Sequence, residues 1–478
     1  MTEDVGCIIG LEIHAQMNTK SKIFCSCQNS IKDALPNTYV CPICLGYPGT
    51  KPALNKAVFE NGIKVAKALN CKIADNIFFS RKNYFYPDMT KNYQITQYEI
   101  PVGLNGYLKI DLNGVEKRIN IRRAHIEEDP GKLVHMGGDI TNSEYTLIDY
   151  NRAGTPLIEI VTDPDFTSPE DVRIFLTKLR AILEHLNIYD PEMIMKADAN
   201  ISVKGGARVE IKNITGFHNI IKALEYEYNR QKIMAKQGIF IKVQETRAYA
   251  EKSKTTKALR LKESEADYGY IFEPDLSWQT MDDKRSERIF KDMNELPDER
   301  IKRFIQDYKL TADTSTSLIY TDKYLADFFE ECAKKIKKYD YLANWILTHL
   351  LKCLNYNDES IKQSKLSPEL FAEFINSMLV GKVDERLGKE LIKDLVKSKK
   401  SVTQLMKEKN LRAVDEDEVI KVVKKILISN EKAINDYTQG NNSALNYLLG
   451  QALKDLKFQA GVEVVRKALQ DEIKRLKK

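Results

Sequence analysis

The placement of turn-forming residues constrains this chain most. Of its 22 glycines and 14 prolines, 29 precede residue 277 and only 7 fall in the 202 residues that follow. Both residue types punctuate strands, hairpins and loops, and both are costly inside helices. The front half is therefore expected to mix strands with a few helices, and the back half to be helical. A chain of 478 residues has room for about two to four domains, each with its own core. Within the back half, Pro297 and Pro368 mark helix starts, and Trp345, Leu350 and Leu351 are expected in the core. The acidic run Asp415-Glu416-Asp417-Glu418 suggests a further boundary near 405–415.

Among the front strands, the first matters most. Across Gly10-Leu11-Glu12-Ile13-His14-Ala15-Gln16 the apolar residues Leu11, Ile13 and Ala15 alternate with polar ones. Strand periodicity then buries one row and presents a carboxylate, an imidazole and an amide on the other face. Residues 107–128 alternate similarly around Asn113-Gly114, a hairpin signal. A second hairpin over 198–212, turning at Lys204-Gly205-Gly206, places Asn200 opposite Glu210 and Asp198 opposite Lys212. Its apolar row is Ile201, Val203, Val209 and Ile211. Ser168-Pro169-Glu170-Asp171 opens a helix with Val172, Phe175, Leu176, Leu179, Ile182 and Leu183 on one side. Another helix is expected from about Phe217 to Gln237, stopped by Gly238.

Glu12 and His14 on one face offer a donor pair for a divalent metal, although a solvated strand face would look the same. Further acids on other strands, namely Glu127, Glu128 and Asp129, then Asp198 and Glu210, make an oxygen-rich site that suits magnesium and a nucleotide. Arg81-Lys82-Asn83-Tyr84-Phe85-Tyr86-Pro87-Asp88 combines cations for phosphates with rings for a base, or else is a buried aromatic segment flanked by surface charge. There is no GxxxxGK[ST] loop and no GxSxG elbow.

Six of the eight cysteines lie in the first 71 residues, four of them as Cys25-x-Cys27 and Cys41-x-x-Cys44. Four thiolates make one closed tetrahedral zinc site, with a structural role because no position is left for substrate; reduced free cysteines are the alternative. The first residues, MTEDVGCIIG, fit neither a signal nor a transit peptide. No apolar run approaches the ~18 residues of a membrane span. A cytoplasmic protein with no membrane association is the expectation. A net charge of +6, from 74 basic and 68 acidic residues, permits RNA as a partner without arguing for it.

Taken in order, GLEIHAQ, CPICLGYPGTKPALN, RKNYFYPD, YQITQYEIP, HIEEDPGK, NRAGTPLIEI, DANISV and EIKN make the chain resemble the B subunit of the Asp/Glu-tRNA(Asn/Gln) amidotransferase. The likeness runs from about residue 5 to 277 and continues more weakly through ANWIL and NYLLGQALK. It implies an α+β fold: a mixed-sheet catalytic cradle over 1–280, an all-α domain over 281–410, and a small all-α tail over 411–478 that binds tRNA. It implies a ligase that uses ATP and magnesium to phosphorylate the side-chain carboxylate of Glu-tRNA(Gln) or Asp-tRNA(Asn). Ammonia from a glutaminase A subunit, accompanied by a small C subunit, then gives Gln-tRNA(Gln) or Asn-tRNA(Asn).

Carried onto matching positions, the resemblance makes Glu12, His14 and Glu128 magnesium ligands, with Asp198 and Glu210 the other acids of the metal and ammonia-passage region. Lys82 would meet phosphate, Tyr86 and Asp88 would stand nearby, and Arg152 would face an anionic substrate group. Cys25, Cys27, Cys41 and Cys44 would hold zinc, an optional feature of the family. Thr90 in YPDMTK stands where the family has proline, and Gly269 where it has arginine. Two alternatives stay open: the archaeal E-subunit type, whose inserted domain has little room after EPDL, and a zinc-stabilised tRNA-binding scaffold without chemistry.

Overall fold

Eight strands form the sheet that organises the front of the chain. In chain order they are β1 (Cys7–Gln16), β2 (Gly103–Leu112), β3 (Val115–Asp129), β4 (Thr155–Thr162), β5 (Met195–Val203), β6 (Val209–Thr215), β7 (Glu245–Ala250) and β8 (Thr255–Leu261). The computed structural model describes residues 6–29, 33–112, 114–137, 143–261, 269–408, 416–456 and 462–476. The chain divides into two units, Met1–Pro297 and Asp298–Lys478.

Spatial order in the sheet is β8-β7-β6-β5-β1-β4-β3-β2. Neighbours run antiparallel except β6 and β7, which are parallel. A parallel pair needs a crossover, supplied here by helix Phe217–Lys236. β1 is thus central, flanked by strands about 150 and 190 residues further along the chain.

The alternation read from the sequence sets the two faces. Ile9, Leu11 and Ile13 of β1, Ala199 and Ile201 of β5, Ile158 and Ile160 of β4, and Ala124 and Ile126 of β3 are buried together. Helices α1 (Lys56–Ala68), α2 (Pro169–His185) and α3 (Phe217–Lys236) pack on the sheet. Close approach of α1 depends on Gly62, where a Cβ would lie 2.5 Å from Ile126 Cδ1. Ser168 caps α2 by accepting a hydrogen bond from the Asp171 N–H at 3.1 Å, with Pro169 in the first turn. α3 ends before Gly238, whose φ of 73° suits glycine.

The hairpins differ in detail from simple alternation. Leu112 pairs with Val115, so β2 and β3 are joined where the Asn113-Gly114 turn was expected, Asn113 itself being outside the described residues. β5 and β6 pair Asn200 with Glu210 as the pattern implied, but the ladder slips at Asp198, which faces both Lys212 and Asn213. Asn213 takes φ 54°, and its N–H donates to Asp198 Oδ1 at 2.7 Å. This bulge still leaves Asp198 and Lys212 on one face.

The second unit is helical. Its helices include Pro297–Tyr308 and Pro368–Leu379, each begun by a proline. Trp345 and Leu350 are buried and Leu351 partly buried, within a π-helical turn and its continuation. Apolar residues between Phe304 and Met406 form one cluster, and those between Val419 and Ile473 another. Residues 409–415, where a boundary was expected, lie outside the described residues. No helix among the described residues is long and apolar enough to cross a membrane.

Candidate active site

The polar face of the sheet collects side chains from five strands. On β1, Glu12 and His14 point the same way because they are two residues apart. His14 lies opposite Glu159 of β4, and Glu159 lies opposite His125 of β3. His14 Nε2 is 3.2 Å from Glu159 and 3.5 Å from Glu127, while His125 Nε2 is 3.1 Å from Glu159 and 3.7 Å from Glu127. Two imidazoles and two carboxylates thus interleave, and all but His14 are buried.

Electrostatics follow from that packing. Burial opposes charge on the His14 ring, but Glu159 and Glu127 outweigh it and push His14 up to about 10. Burial likewise opposes ionisation of Glu159, yet His125 and His14 hold it well below the usual carboxylate range. One ligand atom from each of His14, Glu127 and Glu159 lies within 4.8 Å of the others, a donor set able to hold a divalent cation once the cation displaces the His14 proton.

Glu12 stands next to this cluster, opposite Asp198 of β5. Its acidity is weakened by burial and by the nearby charges of Glu159 and Asp198. Lys212 bridges Asp198 at 2.9 Å and Glu210 at 2.8 Å. Beyond Glu12 the face opens into a cavity of about 500 Å³, lined by Arg122, Thr162, Asn200 and Arg208 among others. Glu12, His14, Asp198 and Glu210 are therefore brought together as the sequence suggested.

Glu128 is not brought to His14. It follows Glu127 in one strand and so faces the opposite side, accepting from Lys91 Nζ at 2.7 Å and from the Ile95 N–H at 2.8 Å. With Arg81, Lys91, Tyr93 and Asp275 it lines a separate cavity of about 230 Å³. Glu127, by contrast, joins the histidines and also accepts from Thr96 Oγ1 at 3.2 Å.

Lys82 lies on strand Ser80–Asn83, paired with Tyr270 of strand Gly269–Phe272 and with Gln94. Arg81, next to it, is clamped by the fully buried Glu273 through two hydrogen bonds of 2.8 Å. Tyr86 is 46% exposed. Asp88 and Arg152 group with Asp129 and Lys196 rather than with His14. Arg152 donates to the Pro130 and Gly131 carbonyls and lies 3.4 Å from Asp129 Oδ2, the same oxygen to which Gln16 Nε2 donates at 3.3 Å.

The four sulfurs of Cys25, Cys27, Cys41 and Cys44 lie within 4.8 Å of one another. A hydrogen bond from Cys25 and the charge of Lys22 favour the thiolate at Cys44. Lys22 is fully buried and donates to the Tyr39 carbonyl at 3.0 Å, with Cys44 Sγ 3.7 Å away. Thr90, at the position that departs from the family pattern, donates to the Cys44 carbonyl at 2.8 Å.

Glu159 and His125 were not singled out from the sequence, and Lys212 was read there only as the residue opposite Asp198. Glu159 had a usable signal, a lone carboxylate inside the apolar run TPLIEIVT, and His125 repeats the alternation that carries Glu127.

Residues 7–287 match a family described as the GatB/GatE catalytic domain, and residues 327–473 match one described as the GatB domain. The B subunit of the aspartyl/glutamyl-tRNA(Asn/Gln) amidotransferase of Thermotoga sp. (strain RQ2) is 41% identical over 473 residues, spanning 97% of this chain and 98% of that protein. The protein of the same name from Carboxydothermus hydrogenoformans is 42% identical over 98% of this chain and 99% of its own length. That of Thermodesulfovibrio yellowstonii is 40% identical over 97% and 98%.

Proposed function

Since the chain belongs to the family of aspartyl/glutamyl-tRNA(Asn/Gln) amidotransferase B subunits, we propose that it is the component that activates and amidates Glu-tRNA(Gln), Asp-tRNA(Asn) or both. The observation that carries this reading is the convergence of His14, Glu127 and Glu159, with Glu12 adjacent, on the open face of the sheet.

A carboxylate resists attack by an amine until one oxygen becomes a good leaving group. The side-chain carboxylate of the tRNA-bound amino acid attacks the γ-phosphorus of ATP, the bond to the β–γ bridging oxygen breaks, and ADP leaves with that electron pair. Ammonia then attacks the acyl carbon of the mixed anhydride, the C–O bond breaks, phosphate departs, and the nitrogen loses a proton. A magnesium ion held by His14, Glu127 and Glu159, with Glu12 within reach, would offset charge on the phosphoryl oxygens. His125 orients Glu159 and Glu127 from the other side, and Lys212 bridges Asp198 and Glu210 at the neighbouring wall. Lys82, on strand Ser80–Asn83 of a separate three-stranded sheet, would supply a cation to phosphate.

Glu128 suits the ammonia passage better than metal ligation. Its cavity lies on the far side of the same strand, lined by paired charges that hydrogen-bond a small polar molecule without trapping it as an ion. The four cysteines would hold zinc as a closed structural site, with buried Lys22 offsetting the excess negative charge of four thiolates around a dication. In the helical unit, His349, Lys352, Arg386, Lys389, Lys393 and Lys397 line a cavity of about 820 Å³, a surface that suits tRNA phosphates. A glutaminase A subunit, with a small C subunit, supplies ammonia.

Copurification with the A subunit, followed by assay of both misacylated tRNAs with ATP and glutamine, tests the reading. Formation of Gln-tRNA(Gln) or Asn-tRNA(Asn) with matching ADP release is expected. Binding of tRNA without ADP release would leave only the scaffold alternative standing.

A further inference from the structure

Lys91 and Glu128 form an ion pair in the smaller cavity, and of the two the glutamate is the fixed one. Glu128 is 3% exposed and also accepts from the Ile95 N–H at 2.8 Å. Lys91 carries a flexible four-carbon stem and sits on the loop between the paired strands Ser80–Asn83 and Tyr93–Thr96. Whether its ammonium meets the carboxylate, 2.7 Å away, therefore depends on where that loop holds the Lys91 backbone.

The cysteine cluster supplies a fixed point beside it. Cys44 and Gly46 line the same cavity as Lys91 and Glu128. Their turn is closely hydrogen-bonded: the Cys41 N–H donates to Cys44 Sγ at 3.2 Å, the Leu45 N–H to the Cys41 carbonyl at 3.0 Å, and the Tyr47 N–H to the Pro42 carbonyl at 2.9 Å. Gly46 and Thr90 join this turn to the lysine loop. At Gly46, φ is 69° and a Cβ would lie 2.6 Å from Lys91 Cγ and 3.0 Å from the Thr90 carbonyl oxygen, so glycine is what lets the two backbones approach. Beside it, Thr90 Oγ1 donates to the Cys44 carbonyl at 2.8 Å. The residue next to Lys91 is thus tied to a member of the four-sulfur cluster.

We propose that Thr90 is a positioning residue for the amidation step: its hydroxyl fastens the Lys91 loop to the cysteine turn, so that the four-sulfur cluster sets the alignment of Lys91 with Glu128 and, through it, the passage of ammonia. This rests on the reading of the Glu128 cavity as the ammonia passage, and it gives the cysteines a role beyond stability. Thr90 carries the state of the four sulfurs, metal-bound or not, to the ion pair through a single hydrogen bond. Loss of that tie lets the pair shift without disturbing the polar face of the large sheet, because Glu128 turns away from His14.

The test uses the enzyme assembled with its A subunit. It reads amide formed per ADP released on the misacylated tRNA, and labelling of Lys91 by acetic anhydride, followed by mass spectrometry. Thr90→Val removes the donor at nearly constant shape. It should leave phosphorylation unchanged, lower amide per ADP by about threefold to tenfold, and raise Lys91 labelling by a similar factor, the range that one lost hydrogen bond allows. Thr90→Ser should restore both. Gly46→Ala, which pushes on Lys91 directly, should act as Thr90→Val does, and carries the comparison should that variant fail to fold. Chelation of the zinc-loaded wild-type enzyme should raise Lys91 labelling likewise. Wild-type coupling and labelling in Thr90→Val, or equal losses of phosphorylation and amide, would overturn the positioning role. Labelling that does not respond to chelation would overturn the link to the cluster. If Glu128→Gln leaves phosphorylation and amidation coupled, the passage reading itself falls, and the proposal with it.

Discussion

Glu127 and Glu128 are consecutive in sequence, yet their carboxylates serve opposite sides of one strand. Glu127 lies 3.5 Å from His14, and Glu128 lies 2.7 Å from Lys91 in a separate cavity. One peptide unit thus separates the candidate metal cluster from the candidate ammonia passage.

This geometry predicts that substitutions at the two positions affect different steps. Glu127→Gln should lower phosphorylation of the aminoacyl-tRNA by ~10²-fold, because a charged group facing the phosphoryl centre is lost. Glu128→Gln should leave phosphorylation nearly intact but uncouple it from amide formation, so that ADP release exceeds Gln-tRNA. Parallel single-turnover measurements of ADP and amide would decide. Identical profiles for both variants would remove the two-sided assignment.

Glu12→Ala and His14→Ala should abolish ATP-dependent phosphorylation while tRNA binding stays nearly unchanged, since both residues lie on the sheet's polar face and neither belongs to the helical unit. Gel-shift titration paired with the phosphorylation assay checks this. Undiminished phosphorylation in either variant would reject the site.

The cysteine cluster predicts one zinc per chain in protein made with adequate zinc. Chelation, or Cys44→Ser, should lower the melting temperature by several degrees, because four ligands from two loop segments lose their common tie. Elemental analysis with thermal melting tests it, and zinc-free protein of unchanged stability would count against a structural metal.

Asp171 predicts an acid-sensitive step in stability. It is buried at the start of α2 and accepts hydrogen bonds from Lys117 Nζ at 2.7 Å and from the Thr167 N–H at 2.8 Å. Burial alone would raise its pKa, but Lys117 and Thr167 outweigh it and hold Asp171 below its ordinary 3.8. A carboxylate depressed in the folded state stabilises above its unfolded value, and the gain is lost as pH falls through the folded one. Asp171→Asn should cost about 2–4 kcal/mol near neutrality and flatten the dependence of melting temperature on pH below 4. Parallel acid profiles for wild type and variant would contradict it.

Removing residues from about 410 onward should weaken tRNA binding while sparing the fold of the first unit. The apolar cluster between Val419 and Ile473 shares no residue with the core of the sheet unit. Unchanged tRNA affinity in a gel-shift titration would argue against a tRNA role for this region.

Much of the architecture was legible locally. Alternation in β1 identified which residues are buried, and Ser168-Pro169 and Gly238 marked the ends of helices, because burial and capping depend on spacing within a few residues. The scarcity of glycine and proline after residue 277 likewise foretold helices there. The ordered motifs went further and carried the family, though only by resemblance.

Strand neighbours are not written in any such spacing. That β1 lies between β4 and β5, so that His14 meets Glu159 and Glu12 meets Asp198, depends on pairing between segments about 150 and 190 residues apart. Likewise, HIEEDPGK announces two adjacent acids, and only the pairing of β3 with β4 decides that Glu127 faces the histidines while Glu128 turns away. The sequence by itself determined the elements, their faces and the residue types available for chemistry. The tertiary structure decided which of those residues meet, because a strand's periodicity sets the side on which a residue lies but long-range hydrogen bonding selects what lies beside it.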